Sequence, residues 1–235
     1  MFNRPHLPAA RRRRVSRGEA AERVSSFRPQ LVVFVKEPHA GRVKTRLGRG
    51  VGTTRATAFY RHTTASVLAR LGADPRWRTI LAVAPDAALA SRAWPSSIER
   101  VGQGPGDLGQ RLDRVMGGLP PGPVVIIGTD IPEIRTGHIA AAMKRLGQAD
   151  AVFGPAPDGG YWLVGLKRRP RLPRAFQQVR WSSSHALEDT QANLAGKTVA
   201  LLDILCDVDE AADLARTRNV IGRRILPNSS VRFMA

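Results

Sequence analysis

Five consecutive apolar residues, Leu31-Val32-Val33-Phe34-Val35, run directly into Lys36-Glu-Pro-His-Ala-Gly41-Arg-Val-Lys44-Thr45-Arg46-Leu47. A run this short and apolar on both faces predicts a strand buried from two sides, so the chain is constrained towards a sheet covered by helices. The loop after it has Pro38 and Gly41 to turn it, and Lys36, Arg42, Lys44 and Arg46 to charge it. A strand end opening into a basic loop suits a phosphate, because loop amides and cationic side chains can point at one anion. Lys36 and Lys44 are two of five lysines among 37 basic residues, a sign that these positions call for lysine. A Walker A loop is excluded, since it needs glycine directly before the lysine and Val43 stands there.

The pattern of strand followed by helix recurs. Ala56, Phe59, Tyr60, Thr63, Val67 and Leu71 fall at helical spacing, with Thr53 or Thr54 as the expected N-cap. Thr79 to Ala84 reads as a strand, followed by a weak helix after Pro85-Asp86 and a loop over 102–106. Leu108, Leu112, Val115 and Leu119 mark a helix, and Val124 to Ile127 a fully apolar strand ending in Gly128-Thr129-Asp130-Ile131-Pro132. A helix is expected over 136–146, then strands over 150–154 and 161–166 around Asp158-Gly159-Gly160, a helix from about Ser184 and a strand over 198–202. Asp207-Val208-Asp209 and a short helix close the pattern. The expected fold class is therefore α/β, with a mostly parallel central sheet and helices on both faces. Ligands in such sheets bind at the carboxyl ends of the strands, which is where the basic loop, Asp130 and Asp209 fall.

Composition narrows the partners. Residues 1–28 hold eight arginines against Glu19 and Glu22, and read as a disordered basic tail. The expected folded domain spans 29–218, and 219–235 form a C-terminal extension. The net charge of +18 favours anionic ligands, but aromatics do not interleave with the basic clusters, so nucleic acid is not the expected partner. No apolar run is long enough to span a membrane, and no secretory signal is seen. The single cysteine, Cys206, excludes an internal disulfide and is expected to be buried as a small apolar residue. The default location is cytoplasmic.

Several residues could carry chemistry. Lys44 and Arg46 suit a di- or triphosphate. Asp130 follows a buried strand and could hold Mg2+ or Mn2+, hard cations that prefer oxygen; a turn-capping role fits it equally. Asp207 and Asp209 offer a second carboxylate, and one of the two is expected only to cap the next helix. Asp158-Gly159-Gly160 is a hairpin signal, but its glycines would also let backbone approach a ligand, with Asp158 reaching an acceptor hydroxyl. Gly106 and Asp107 could lie against a base or sugar, or simply open their helix. The histidines lack metal-ligand spacing and no serine sits in a nucleophile elbow.

Together these segments resemble the bacterial family called rSAM/selenodomain-associated transferase 1. The resemblance rests on residues 36–47, Gly106-Asp107-Leu108-Gly109-Gln110-Arg111-Leu112, Gly128-Thr129-Asp130-Ile131-Pro132, Gly154-Pro155-Ala156-Pro157-Asp158-Gly159-Gly160-Tyr161, Trp181-Ser182 and Asp207-Val208-Asp209, in that order. It covers about residues 30–217. It implies a Rossmann-like GT-A fold of the nucleotide-diphospho-sugar transferase type, with Asp130 and Asp209 as the metal-site carboxylates. The layout is also similar to 2-phospholactate and molybdenum cofactor guanylyltransferases. The site expected on this basis has Lys44 and Asp158 as catalytic residues. Lys36, Gly41, Lys44, Thr45, Arg46, Gly106 and Asp107 would hold nucleotide and phosphate, and Asp158, Gly159, Gly160, Tyr161 and Trp181 the acceptor. The expected activity is metal-dependent transfer from a nucleotide or nucleotide-sugar to a small acceptor, of glycosyltransferase type. The alternative is nucleotidyl transfer with release of pyrophosphate, and a lesser one is a non-catalytic protein that binds nucleic acid through its basic arm.

Overall fold

The apolar runs pair into one sheet of seven strands. They are β1 (Gln30–Lys36), β2 (Arg78–Ala84), β3 (Glu99–Gly102), β4 (Val124–Ile127), β5 (Ala151–Pro155), β6 (Tyr161–Leu166) and β7 (Val199–Leu201). The helices are α1 (Thr45–Val51), α2 (Thr53–Leu71), α3 (Leu108–Gly118), α4 (Thr136–Leu146), α5 (Ala186–Ala192) and α6 (Ala211–Ile221). The computed structural model describes residues 27–169 and 171–221, with side chains described up to residue 216. The basic tail, except its last two residues, and the C-terminal extension beyond residue 221 lie outside the described residues. No described helix is long and apolar enough to cross a membrane.

The strand order is β3-β2-β1-β4-β6-β5-β7. Every pairing is parallel except those of β6, which runs antiparallel to both β4 and β5. The side-chain period of two sorts β1 between two cores. Leu31, Val33 and Val35 pack with Val67, Leu68 and Leu71 of α2 and with Ile139, Ala142 and Leu146 of α4. Val32 joins Leu112, Val115 and Met116 of α3 on the opposite face. Helices thus cover both faces, and this is why residues 31–35 of β1 and all of β4 are apolar.

From β1 the chain works outward through β2 to β3, then crosses back to place β4 on the other side of β1. The order therefore reverses between β1 and β4. The helix that follows β1 and the helix that leads into β4 cover opposite faces of the sheet, and a crevice opens at the carboxyl ends of the two strands.

Four local features differ from the sequence expectation. β3 was not expected, because its four residues, Glu-Arg-Val-Gly, are a partly buried edge strand with no apolar alternation. α1 was not expected either, since Thr-Arg-Leu-Gly-Arg-Gly-Val is poor in helix formers. Tertiary packing supports α1: Leu47 is fully buried with Ala56, Phe59 and Val208, and a Cβ on Gly50 would lie 2.9 Å from that of Ala211. The N-cap of α2 is Gly52, with no side-chain cap, rather than Thr53 or Thr54, because α1 ends against it and both threonines are already helical. Cys206 is exposed rather than buried.

Candidate active site

The carboxyl end of β1 delivers Lys36, and the loop beyond it carries the chain round to Lys44, whose backbone lies in the left-handed region at φ 48°. A lysine there is uncommon and strained, and the surrounding contacts must hold it. One is made by the Lys44 carbonyl, which accepts from the Gly48 N–H at 2.8 Å in the first turn of α1. A second is the Lys44 side chain, which is only 4% exposed and ends between two carboxylates. Its Nζ lies 3.0 Å from Asp130 Oδ2 and donates a 2.6 Å hydrogen bond to Asp209 Oδ1.

The two aspartates come from distant segments. Asp130 follows β4 across the switch point, and Asp209 lies on the segment after β7. The Val208 N–H donates to the Asp130 carbonyl at 3.1 Å, and the Val208 side chain is fully buried against Leu47 and Phe59. One small apolar cluster thus clips the basic loop to the Asp207-Val208-Asp209 segment and fixes both carboxylates against Lys44.

Burial alone would push the Lys44 ammonium down. The Asp130 and Asp209 carboxylates outweigh it and hold the group above its ordinary value, so Lys44 is charged at neutral pH. Asp130 and Asp209 remain 44% and 39% exposed, so their remaining oxygens face solvent in the cleft. Burial, with Asp209 and Asp158 nearby, pushes Asp207 up to about 6.

These groups line a cleft of about 670 Å³. Lys36, Lys44, Thr45, Arg46, Asp130, Asp209 and Tyr161 of the expected site face it. Gly41, Gly106, Asp107, Asp158, Gly159, Gly160 and Trp181 are not among its lining residues. Asp107 instead caps α3: its carboxylate accepts from the Gln110 N–H at 2.8 Å while the Gln110 side chain accepts from the Asp107 N–H. Asp158 accepts from the Gly160 N–H at 2.9 Å, so this segment is a turn, as the hairpin signal suggested. Gly159 is required there, because a Cβ would lie 2.1 Å from the Ser184 carbonyl oxygen. Trp181 supports the wall of the cleft edge-on to Tyr161, with ring centroids 6.4 Å apart.

Other residues facing the cleft were not picked out as site residues. The Tyr60 hydroxyl accepts from the Lys36 N–H at 2.8 Å, and burial raises its pKa. In the sequence Tyr60 reads only as part of the apolar stripe of α2. Gln103 is buried, and its amide nitrogen donates to the Val35 and Ala82 carbonyls, tying β1, β2 and the segment after β3 together at the cleft floor. Arg111 reaches the cleft from the first turn of α3. In the sequence Gln103 is marked only by its place between two glycines, which does not show its burial.

A larger cavity of about 970 Å³ lies between α2 and residues 91–98, walled largely by Leu68, Ala69, Trp94 and Ile98. Its lining includes one carboxylate, Glu37, with Arg61 and Arg92, but no lysine held between two carboxylates, and size alone does not locate chemistry.

Among the described residues, no group of three or more His, Cys, Asp or Glu converges to cage a metal. The carboxylate oxygens of Asp130 and Asp209 nonetheless fit a hard divalent cation whose other positions are filled by phosphate oxygens or water. Two protein carboxylates with phosphate completing the shell is a common arrangement for Mg2+.

Residues 67–183 match the family described as "uncharacterized protein conserved in bacteria (DUF2064)". The chain is also similar to a Desulfovibrio desulfuricans protein provisionally described as a nucleotide-diphospho-sugar transferase. That match has 31% identity over 89% of this chain and 92% of the other, with a TM-score of 0.74. A 4-diphosphocytidyl-2C-methyl-D-erythritol synthase from Anaerococcus prevotii shares the fold at 8% identity, over 83% of this chain and 99% of the other, with a TM-score of 0.53. No curated protein sequence matches the chain.

Proposed function

The chain belongs to the DUF2064 family, and on that premise we propose that it is a metal-dependent transferase that takes a sugar from a nucleotide-diphospho-sugar and passes it to a small acceptor. One observation carries this reading. At the carboxyl ends of β1 and β4, a basic loop and two carboxylates from separate segments meet on one buried ammonium. A cleft of that kind needs to balance both a cation and an anion, as a metal–diphosphate does. The name given to the Desulfovibrio desulfuricans relative supports the donor class.

Asp130 and Asp209 would hold Mg2+ or Mn2+, which when bound neutralises charge on the leaving diphosphate. Lys36, Lys44, Thr45 and Arg46, which line the cleft, would bind and orient the phosphates, and Lys44 and Arg46 would meet the charge that grows there as the bond to the sugar breaks. Gly41 shapes the loop with its φ of 76°. Asp158 is close enough to Asp207 to affect its titration, and it would orient the acceptor hydroxyl or take its proton. Gly159, Gly160, Tyr161 and Trp181 would form the acceptor wall. Gly106 and Asp107 would act indirectly, by starting α3 where Arg111 can face the cleft.

A second reading is nucleotidyl transfer from a nucleoside triphosphate, with release of pyrophosphate. It is favoured by the four cations, Lys36, Arg42, Lys44 and Arg46, that the end of β1, the loop and the start of α1 present to the cleft. Product analysis separates the two. With Mn2+ and a panel of nucleotide-sugars and nucleoside triphosphates, the first reading expects free nucleoside diphosphate. Pyrophosphate without nucleoside diphosphate would exclude it. If no member of the panel is consumed or raises the melting temperature, both fail.

A further inference from the structure

We propose that Lys44 is the resident counter-ion of the Asp130–Asp209 pair, and that a divalent cation enters fully only when a phosphate draws Lys44 off it. Metal and phosphate would then bind as a coupled pair, and the metal alone would bind weakly. The proposal rests on the metal–phosphate reading above and adds the order in which the site fills.

The ammonium touches both carboxylates, at 3.0 and 2.6 Å, so it occupies the position from which one cation bridges them. This arrangement is not a chance surface contact. Lys44 is almost fully buried, Leu47 and Val208 pack in one cluster beneath it, and Val208 is bonded to the Asp130 backbone. With Lys44 in place, the three side chains carry a net charge of −1 rather than −2. A divalent cation joining them would sit beside a fixed like charge in a half-buried site, where screening is weak. No third carboxylate or histidine among the described residues converges to offset that repulsion.

A phosphate changes the balance. Arg42 and Arg46 line the same cleft and attract it. Its oxygens offer the ammonium new acceptors, and the four-carbon lysine stem can swing to them without moving the loop. The vacated carboxylates can then take the metal. Because linkage is reciprocal, the metal strengthens phosphate binding by the same factor.

The test uses the full chain and Mn2+ alone, with free Mn2+ read by electron paramagnetic resonance, so that no phosphate is present. Lys44→Met, which keeps the stem and removes the charge, should bind Mn2+ about tenfold or more tightly than wild type. Lys44→Arg, which keeps a charge, should bind it as weakly as wild type. Equal affinity in wild type and Lys44→Met, or no Mn2+ binding by any variant, overturns the proposal. Should Lys44→Met fail to fold, Lys44→Gln supplies the same comparison. Inorganic pyrophosphate, titrated calorimetrically into the wild type without metal, tests the reading beneath it. If pyrophosphate does not bind, the phosphate reading and the coupling fail, and the Mn2+ comparison still reports on the counter-ion by itself.

Discussion

The loop after β1 and the turn between β5 and β6 begin alike. Each follows a strand and contains glycine, and each carries charge that could serve a ligand, several cations in the first and Asp158 alone in the second. The structure uses them differently. Asp158 gives its carboxylate to Gly160, two residues away, and Asp107 gives its own to Gln110, three residues away. Lys44 reaches Asp209, 165 residues away. A polar group satisfied by its own turn is mostly committed to local structure. One satisfied only by a distant partner, in a cleft that keeps half of that partner in water, is available for exchange with a ligand.

Three variants probe this difference, and the largest effect is expected where the partners are distant. Asp130→Ala should leave the fold intact, because its side chain is half exposed, yet weaken Mn2+-dependent nucleotide binding roughly 100-fold, the upper end for loss of a metal-site partner. Calorimetry with Mn2+ checks it, and unchanged affinity would remove Asp130 from the metal site.

Asp107→Ala should behave in the opposite way. It removes an N-cap and should lower stability by about 1 kcal/mol, measured by urea unfolding. Nucleotide affinity should stay within about twofold, because the cap acts on α3 and not on the ligand. A large loss of affinity at constant stability would restore Asp107 as a direct contact.

The smallest effect is expected at Arg180–Asp189, a local pair near the surface whose arginine is exposed. Hydrogen bonds from the Arg180 side chain and backbone hold the Asp189 carboxyl at about 2, below its usual 3.8. A depressed carboxylate pKa contributes stability above the unfolded value and loses it as pH falls through the folded one. Wild type should therefore lose slightly more thermal stability than Arg180→Ala between pH 5 and pH 2. Parallel melting curves for the two proteins would show that the pair contributes nothing.

Much of the fold was legible because it is written in short-range pattern. The runs over 31–35, 79–84 and 124–127 became β1, β2 and β4, and the apolar spacing from Ala56 to Leu71 became α2. β3 and α1 were not legible, because neither has the composition of its element and both depend on packing against the body of the sheet. In the cleft, Lys44 and Asp130 could be named from their places after strands, and Asp209 was singled out from Asp207 only by the family resemblance. Tyr60 and Gln103 could not be named as site residues. A tyrosine on a helical stripe looks the same whether its hydroxyl meets solvent or a loop amide, and a glutamine does not announce which carbonyls it will join.

The sequence by itself determined where strands end and which charges stand at those ends, since burial on both faces and alternation along the chain follow from nearest neighbours. It could not determine that Lys44 would stand between Asp130 and Asp209. That contact depends on the crossing that puts β4 beside β1 and on the Leu47–Val208 cluster that holds the Asp207–Asp209 segment against the loop. Both are contacts between residues far apart in the chain, and their free energy is realised only when the whole sheet is assembled. The local pattern therefore supplied the charged groups, and the tertiary structure decided which of them face one another across the cleft.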